Sequence, residues 1–271
     1  MANTDLARLR ACVGTEPVLL VSVGQQQGSV PREQGAWMGV TATTVIGTVG
    51  GGHLEWEAIA HARALLSDPP QGPTKRHFKL GPSLGQCCGG ALDLEFVYQP
   101  SDLPAASAQS LFQRLKPPSH PVVLFGGGHV GKALIEVLGR LPMSVLWVDS
   151  RDEIFPDQVP ANVRCEHSDP VQQAVWDLPA GCHVLMMSFS HAEDLDILAA
   201  CLQRARQQQD LPYIGLIGSE TKWATFRHRL EAKGFGPTDF DRVTCPIGVP
   251  GIAGKQPEVI AVAVAAQLLQ A

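Results

Sequence analysis

The sequence predicts an α/β protein of two domains, an amino-terminal α+β domain with a mixed sheet and then a doubly wound parallel sheet. Three observations carry this. In the second half, short apolar runs alternate with helical patterns, which implies parallel strands joined by right-handed crossovers. In the first half, strand-like runs lie close together, separated by turns and interrupted by one long helical pattern. Between the halves, residues 100–121 ("PSDLPAASAQSLFQRLKPPSHP") are rich in Pro and Ser around one short helical pattern, the composition of a boundary. The expected organisation is a domain over 1–100, a linker over 101–120 and a second domain over 121–271.

In chain order, "TDLARLRAC" (4–12) reads as a helix and "PVLLVSVG" (17–24) as a strand. "AWMGVT" (36–41) and "TTVIGT" (43–48) follow as strands about a turn. "VGGGHLEWEAIAHARALL" (49–66) is a loop feeding a helix, and "KRHFKL" (75–80) and "ALDLEFVY" (91–98) are further strands. The second half opens on "PVVLFG" (121–126), too short for a helix and apolar throughout, as a buried parallel strand is. "GHVGKALIEVLGRL" (128–141) has apolar residues at helical spacing, and "MSVLWVDS" (143–150) is the next strand. Then come a helix at "PVQQAVWDL" (170–178), a strand at "CHVLMMSF" (182–189) and a helix over 191–208. A strand at "PYIGLIG" (212–218), a helix at "ETKWATFRHRLEAKG" (220–234) and a last helix at "PEVIAVAVAAQLLQ" (257–270) complete the set.

Composition narrows the function. Among 271 residues, 21 Lys and Arg stand against 26 Asp and Glu, a net charge of −5 with no run of like charge. That argues against a nucleic-acid face or an anionic-membrane patch. The opening "MANTDLARLRACVG" carries Asp5 and no apolar core, unlike a secretory signal. No stretch reaches the roughly 18 apolar residues of a membrane span. The expectation is a cytoplasmic protein. Its seven cysteines (12, 87, 88, 165, 182, 201 and 245) form no CxxC pair, so disulfide frameworks and zinc ribbons fit badly. Cys182 and Cys201 sit where a strand and a helix face a core.

Three glycine-rich turns hold the chemistry. "LFGGGHVGKAL" supplies G-x-G-x-x-G as Gly126, Gly128 and Gly131, between a strand and a helix. There the glycines permit a tight turn, close approach of backbone to a phosphate, and close helix–strand packing. Asp149 ends the following strand, where an acid accepts from a ribose hydroxyl. The second turn, Gly50–Gly52, runs into a helix beginning near His53, and successive N–H groups there suit an anion. Glu55 and Glu57 complement the dipole of that helix without further function; for His53, spacing leaves ligand binding and helix capping open. The third turn is "GPSLGQCCGG" (81–90). Cys87 and Cys88 lie between Gly85 and Gly89–Gly90, and Arg32, in "GSVPREQGAWM", is a candidate cationic neighbour. A thiol in such a loop near positive charge favours thiolate. Core filler, metal clamp and reactive thiol all remain open for this pair.

Elsewhere, Ser190 and Glu193 fit a capping box at a helix start; His191 and Asp194 beside them are pocket candidates. No nucleophile elbow, Walker lysine loop, HExxH or carboxylate cluster is present, so hydrolase and kinase readings lack a chemical core.

Taken in order, "GSVPREQGAWM", "IGTVGGGHLEWEA", "GPSLGQCCGG" and "LFGGGHVGKAL…VDSR", with the later "LIGSETKW" and "CPIGVPGIAGKQPEVIAVAVAAQLL", resemble the xanthine dehydrogenase accessory protein family (XdhC/CoxI) over nearly the whole chain. The resemblance implies a cytosolic protein with an amino-terminal domain of its own kind and a Rossmann-like carboxy-terminal domain. It implies a molybdenum cofactor (molybdopterin) chaperone of purine catabolism rather than an enzyme. Such a chaperone protects the cofactor, supports its sulfuration with a cysteine desulfurase and inserts it into apo xanthine dehydrogenase. The family's glycine-flanked cysteine falls on Cys87 or Cys88; Cys88, directly followed by Gly89–Gly90, is the favoured metal ligand. Arg32, Gly50, Gly51, Gly52 and His53 then surround the anionic groups, and Gly126, Gly128, Gly131 and Asp149 take the cofactor's phosphate or a separate nucleotide. A homodimer is expected only because symmetric dimers are the commonest oligomers. Two other readings stand beside this one: an NAD(P)-dependent oxidoreductase, and a protein adaptor with an empty scaffold.

Overall fold

The structure, a computed structural model, describes residues 2–81, 89–116 and 119–271. It divides into two compact units, Met1–Pro117 and Pro118–Ala271.

The first unit is built on β1 (Val18–Gln27), β2 (Trp37–Val40), β3 (Val45–Gly47), β4 (Thr74–Lys79) and β5 (Ala91–Gln99). Their order is β3-β2-β1-β5-β4, and each pairing is antiparallel. The α+β expectation holds, with a simpler sheet than the mixed one expected. The pairs β1/β2, β2/β3 and β4/β5 are consecutive in the chain, the first and last strands β1 and β5 pair at the centre, and the long connection, helix α2 (Gly52–Ser67), joins the two edge strands β3 and β4. Strand β1 is apolar on both faces because both are covered. Leu19, Val21 and Val23 pack with Leu54, Ala58 and Ala62 of α2 and with Phe78, Leu92, Leu94 and Phe96. Val18 and Leu20 pack on the other side with Leu6 and Leu9 of α1 (Ala2–Cys12) and with Leu111, Phe112 and Leu115 of α3 (Ala105–Leu115). The helical pattern within the Pro-rich stretch therefore forms α3, and Trp37 Nε1 donates to the Leu115 carbonyl (3.1 Å) at its end.

The second unit has β6 (His120–Phe125), β7 (Met143–Asp149), β8 (Val163–His167), β9 (His183–Met186), β10 (Tyr213–Leu216) and β11 (Val243–Thr244). All pair in parallel in the order β11-β10-β9-β6-β7-β8, the doubly wound arrangement expected, with the order reversing between β6 and β9. Side chains alternate between two cores. Val123, Phe125, Val184 and Met186 face α5 (His191–Gln208) and α6 (Glu220–Ala232). Val122, Leu124, Leu185 and Trp147 face α4 (His129–Leu138) and α8 (Pro257–Leu268). A short helix, α7 (Pro237–Phe240), precedes β11.

Several details depart from the sequence reading, α7 among them, which it did not mark. Residues 171–177 form a 3₁₀ helix rather than an α-helix. Pro179 disfavours the α conformation at Leu178, so the stretch stops before a full α-helix accumulates. Strands β8 and β11 are edge strands that the reading missed. In "VRCEH" only Val163 is buried, and β11 has two residues, so neither shows an apolar run. Cys182 and Cys201 are fully buried, as expected. No helix among the described residues is long and apolar enough to cross a membrane.

Candidate functional site

The candidate residues form two groups, one in each unit. In the first unit the chain between β1 and β2 lies against two of the glycine turns. A Cβ on Gly50 would sit 2.5 Å from Cγ of Pro31, the residue before Arg32. A Cβ on Gly90 would fall on the carbonyl oxygens of Gln27 and Ser29, and one on Gly28 would be 3.2 Å from Gly90 Cα. Among the described residues, nothing lies within 4 Å of where a side chain on Gly89 or Gly51 would begin. The Arg32 segment, Gly50–Gly52 and Gly89–Gly90 are thus one cluster. Leu80 N donates to the Gly90 carbonyl (2.8 Å), which ties together the two ends of the segment between β4 and β5. Cys87 and Cys88 belong to that segment and lie outside the described residues.

Two expectations for this cluster change. Gly50, Gly51 and Gly52 have φ of 137°, 73° and 61°, the region that favours glycine, and one of their N–H groups, that of Gly51, does meet an anion. That anion is Glu55. Its Oε2 accepts from Val49 N (3.0 Å), Gly51 N (3.2 Å) and the Thr48 hydroxyl. Gly50 N instead donates to the Thr48 hydroxyl oxygen (3.1 Å), so Glu55, read from the sequence as a dipole complement, is the residue that shapes the loop. Arg32 is half-exposed and paired with its neighbour Glu33 (3.1 Å), whose carboxyl it holds below the ordinary glutamate value. His53 neither caps α2 nor is buried. It pairs with Glu57 (3.2 Å), stacks on the exposed Trp56, and Glu57 in turn receives Arg76 (3.1 Å).

In the second unit the glycine turn after β6 lies at the carboxyl ends of the strands, beside the point where the strand order reverses. Gly126 (φ 117°) leaves no room for a side chain, since a Cβ there would fall on the Met187 carbonyl oxygen. Gly131 meets the Gly126 carbonyl in the same way, which brings α4 tight against the turn. Gly128 is the N-cap of α4. Trp147 Nε1 donates to the Gly126 carbonyl (2.9 Å) and fixes it from below.

Asp149 stands where expected and does something else. Its side chain is 1% exposed, and Oδ2 accepts from Gly127 N (2.6 Å). Arg151 closes on it with Nε to Oδ1 (2.8 Å), Nη2 to Oδ2 (2.9 Å) and the backbone N–H to Oδ1 (3.0 Å). Burial pushes this carboxyl up, but the guanidinium and the two backbone N–H groups outweigh it and hold its pKa below the ordinary aspartate value. Both oxygens are engaged by the protein, so the expected ribose acceptor is a brace for the glycine turn.

The same device recurs one strand over. Asp194, in the first turn of α5, accepts from Ser188 N (2.8 Å) and Ser188 Oγ (2.7 Å) at Oδ1. Its Oδ2 takes the Lys222 ammonium (2.6 Å), which also donates to the Ile217 carbonyl (2.8 Å). Lys222 and Cys245 flank Gly218, and burial pushes the Cys245 thiol up to about 11. Half of the expected capping box forms: Ser190 Oγ accepts from Glu193 N (3.2 Å). The Glu193 carboxylate instead takes Ser150 Oγ (2.8 Å) and Phe189 N (3.2 Å), linking the loops after β7 and β9. Sequence reasoning missed Arg151, Phe189 and Lys222. Arg151 stood inside the quoted "VDSR", but only the fold shows that it returns to Asp149.

Fold and site define a class: an α/β protein whose second unit is a dinucleotide-type parallel sheet with a glycine turn at its switch point. Comparison with known proteins narrows it. The family model described as the XdhC Rossmann domain matches residues 122–268, and that described as the XdhC and CoxI family matches residues 14–78. The chain belongs to the XdhC and CoxI family. It is 24% identical over 259 residues to an Escherichia coli K12 protein called uncharacterized protein YqeB, covering 94% of this chain and 43% of that one. The chain thus spans less than half the length of that relative. A crystal structure from Bacillus halodurans, described as a xanthine dehydrogenase, shares the fold at 19% identity with a TM-score of 0.78, over 100% of this chain and 95% of that one.

Proposed function

We propose that this protein serves the maturation of xanthine dehydrogenase by carrying molybdenum cofactor, protecting it, presenting it for sulfuration by a cysteine desulfurase and handing it to the apo enzyme. Family membership carries the proposal. The cluster in the first unit supports it: among the described residues nothing lies within 4 Å of where a side chain on Gly51 or Gly89 would begin, and Gly89 directly follows Cys88 in the chain. A soft thiolate suits a sulfur-ligated molybdenum. In this reading Cys88 is the thiolate ligand of the metal and Cys87 is not needed for it, and Arg32 supplies positive charge once a ligand anion competes with Glu33. Gly51 offers close-approach backbone, while its N–H is already held by Glu55 and is not part of an anion cradle. The cofactor is cargo, so its binding must be firm yet reversible.

The deciding measurement is molybdenum and pterin content per chain after anaerobic loading and desalting. Wild type should retain close to one cofactor per chain. Cys88→Ala should lose most of it, and Cys87→Ala should keep it. Equal retention in all three proteins would remove the thiol from the proposal, and no retention in wild type would remove the carrier role. An oxidoreductase reading is weakened because Asp149 is engaged by Gly127 and Arg151.

A further inference from the structure

At the switch point of the second unit an aromatic ring stands in the open. Phe189, in the loop after β9, is 66% exposed. The Arg151 guanidinium, in the loop after β7, lies 4.4 Å from its ring centroid. Neither group is loosely held. Arg151 is fixed by two guanidinium hydrogen bonds to the buried Asp149, and Phe189 N is fixed by the Glu193 carboxylate. Glu193 also holds Ser150, so the two loops that carry the pair are tied to each other. A phenylalanine ring is ordinarily among the buried side chains of a fold. Here that ring is presented at the place where open α/β sheets take ligands, the crevice outside the carboxyl ends of the strands.

We propose that Phe189 and Arg151 form a stacking platform for a planar heteroaromatic ring, a purine or a pterin, in a ligand site of the second unit. The charge of Arg151 is already matched by Asp149, and Glu193 lies close by. The platform therefore reads the flat face of the ring and not a charge upon it. A guanidinium and an aromatic ring pre-arranged at fixed positions lose little freedom when a third flat group is added. In its pterin form the inference deepens the cofactor-carrier reading and rests on it; in its purine form it stands apart from that reading.

Isothermal titration of the whole chain with AMP, with a pterin monophosphate and with ribose 5-phosphate tests this. At least one of the two ring-bearing phosphates should bind at one per chain, roughly tenfold or more tighter than ribose 5-phosphate, the order expected of one stacked ring. Phe189→Ser, at an exposed position, should leave the unfolding midpoint unchanged and abolish that advantage. Binding of AMP alone identifies a nucleotide site; binding of the pterin alone identifies a cofactor site; both support the platform. The inference is overturned if neither ring-bearing ligand outbinds ribose 5-phosphate, or if Phe189→Ser binds as wild type does. Molybdenum retention by the Cys88 and Cys87 variants reads the first unit, so the carrier reading and the platform can fail separately.

Discussion

Asp149 shows how a residue's surroundings override its position. An acid at the end of the second strand of such a sheet is placed to meet a ribose, yet this one is closed over by Arg151 and by the Gly127 N–H. Asp149→Asn would leave the guanidinium beside a neutral amide in a buried place. Its expected cost is about 2–4 kcal/mol by urea unfolding, in the range for breaking a largely buried pair. A variant as stable as wild type would show that Arg151 finds another partner. Gly126→Ala is expected to cost more than about 2 kcal/mol, because it adds a Cβ at φ 117° against the Met187 carbonyl. Its effect should be read beside Gly128→Ala, where the space is open and the backbone extended, and where far less loss is expected.

At the level of elements, the entry to α2 depends on one side chain. Glu55 gathers the Thr48 hydroxyl and the N–H groups of Val49 and Gly51, so three polar groups lose their acceptor in Glu55→Ala. The expected destabilisation is about 1–3 kcal/mol, with less in Glu55→Gln, which keeps an acceptor oxygen. Denaturant midpoints of the two variants check this, and equal, negligible effects would show that the loop is held by its glycines alone. Helix α1 is held differently. Leu9 is fully buried, and its Cδ1 lies where a side chain on Gly39 would begin, so helix and sheet meet with almost no gap. Leu9→Ala should cost about 2–5 kcal/mol, the range for a core leucine.

Over the whole molecule, several ionisable groups tie stability to pH. In the second unit Asp210 is held below the ordinary aspartate value by Arg204, and Asp239 by Arg206; Asp149 joins them, since Arg151 outweighs its burial. Each is ionised in the folded chain at pH values where the unfolded chain already takes up protons. Their contribution is therefore complete above about pH 5 and is lost as pH falls through the ordinary carboxylate value near 4 and below. His61 and His183 are held below the ordinary histidine value by burial, so they add an earlier decline starting near pH 6.5. Urea unfolding should show a small loss of stability between pH 7.5 and 5.5 and a larger one by pH 3.5. Constant stability down to pH 3.5 would contradict both.

The sequence by itself determined the class of each half, the positions of the long helices and main strands, and the family. The elements follow from local periodicity, since β6 is apolar throughout because both its faces are covered and α5 spans the very residues its pattern marked, whereas the family rests on the resemblance carried by the ordered glycine-rich motifs. The glycine turns were legible for the same reason, since a left-handed φ at Gly50–Gly52 or Gly126 leaves a mark in composition. Edge strands such as β8 were not, because one covered residue makes no pattern. What each polar group does was decided only by tertiary structure. Whether Asp149 meets a ligand or Arg151, and whether the Gly51 N–H meets a foreign anion or Glu55, depends on which donors the fold brings within about 3 Å. Spacing along the chain names the groups; burial and the competition among neighbouring donors assign their partners.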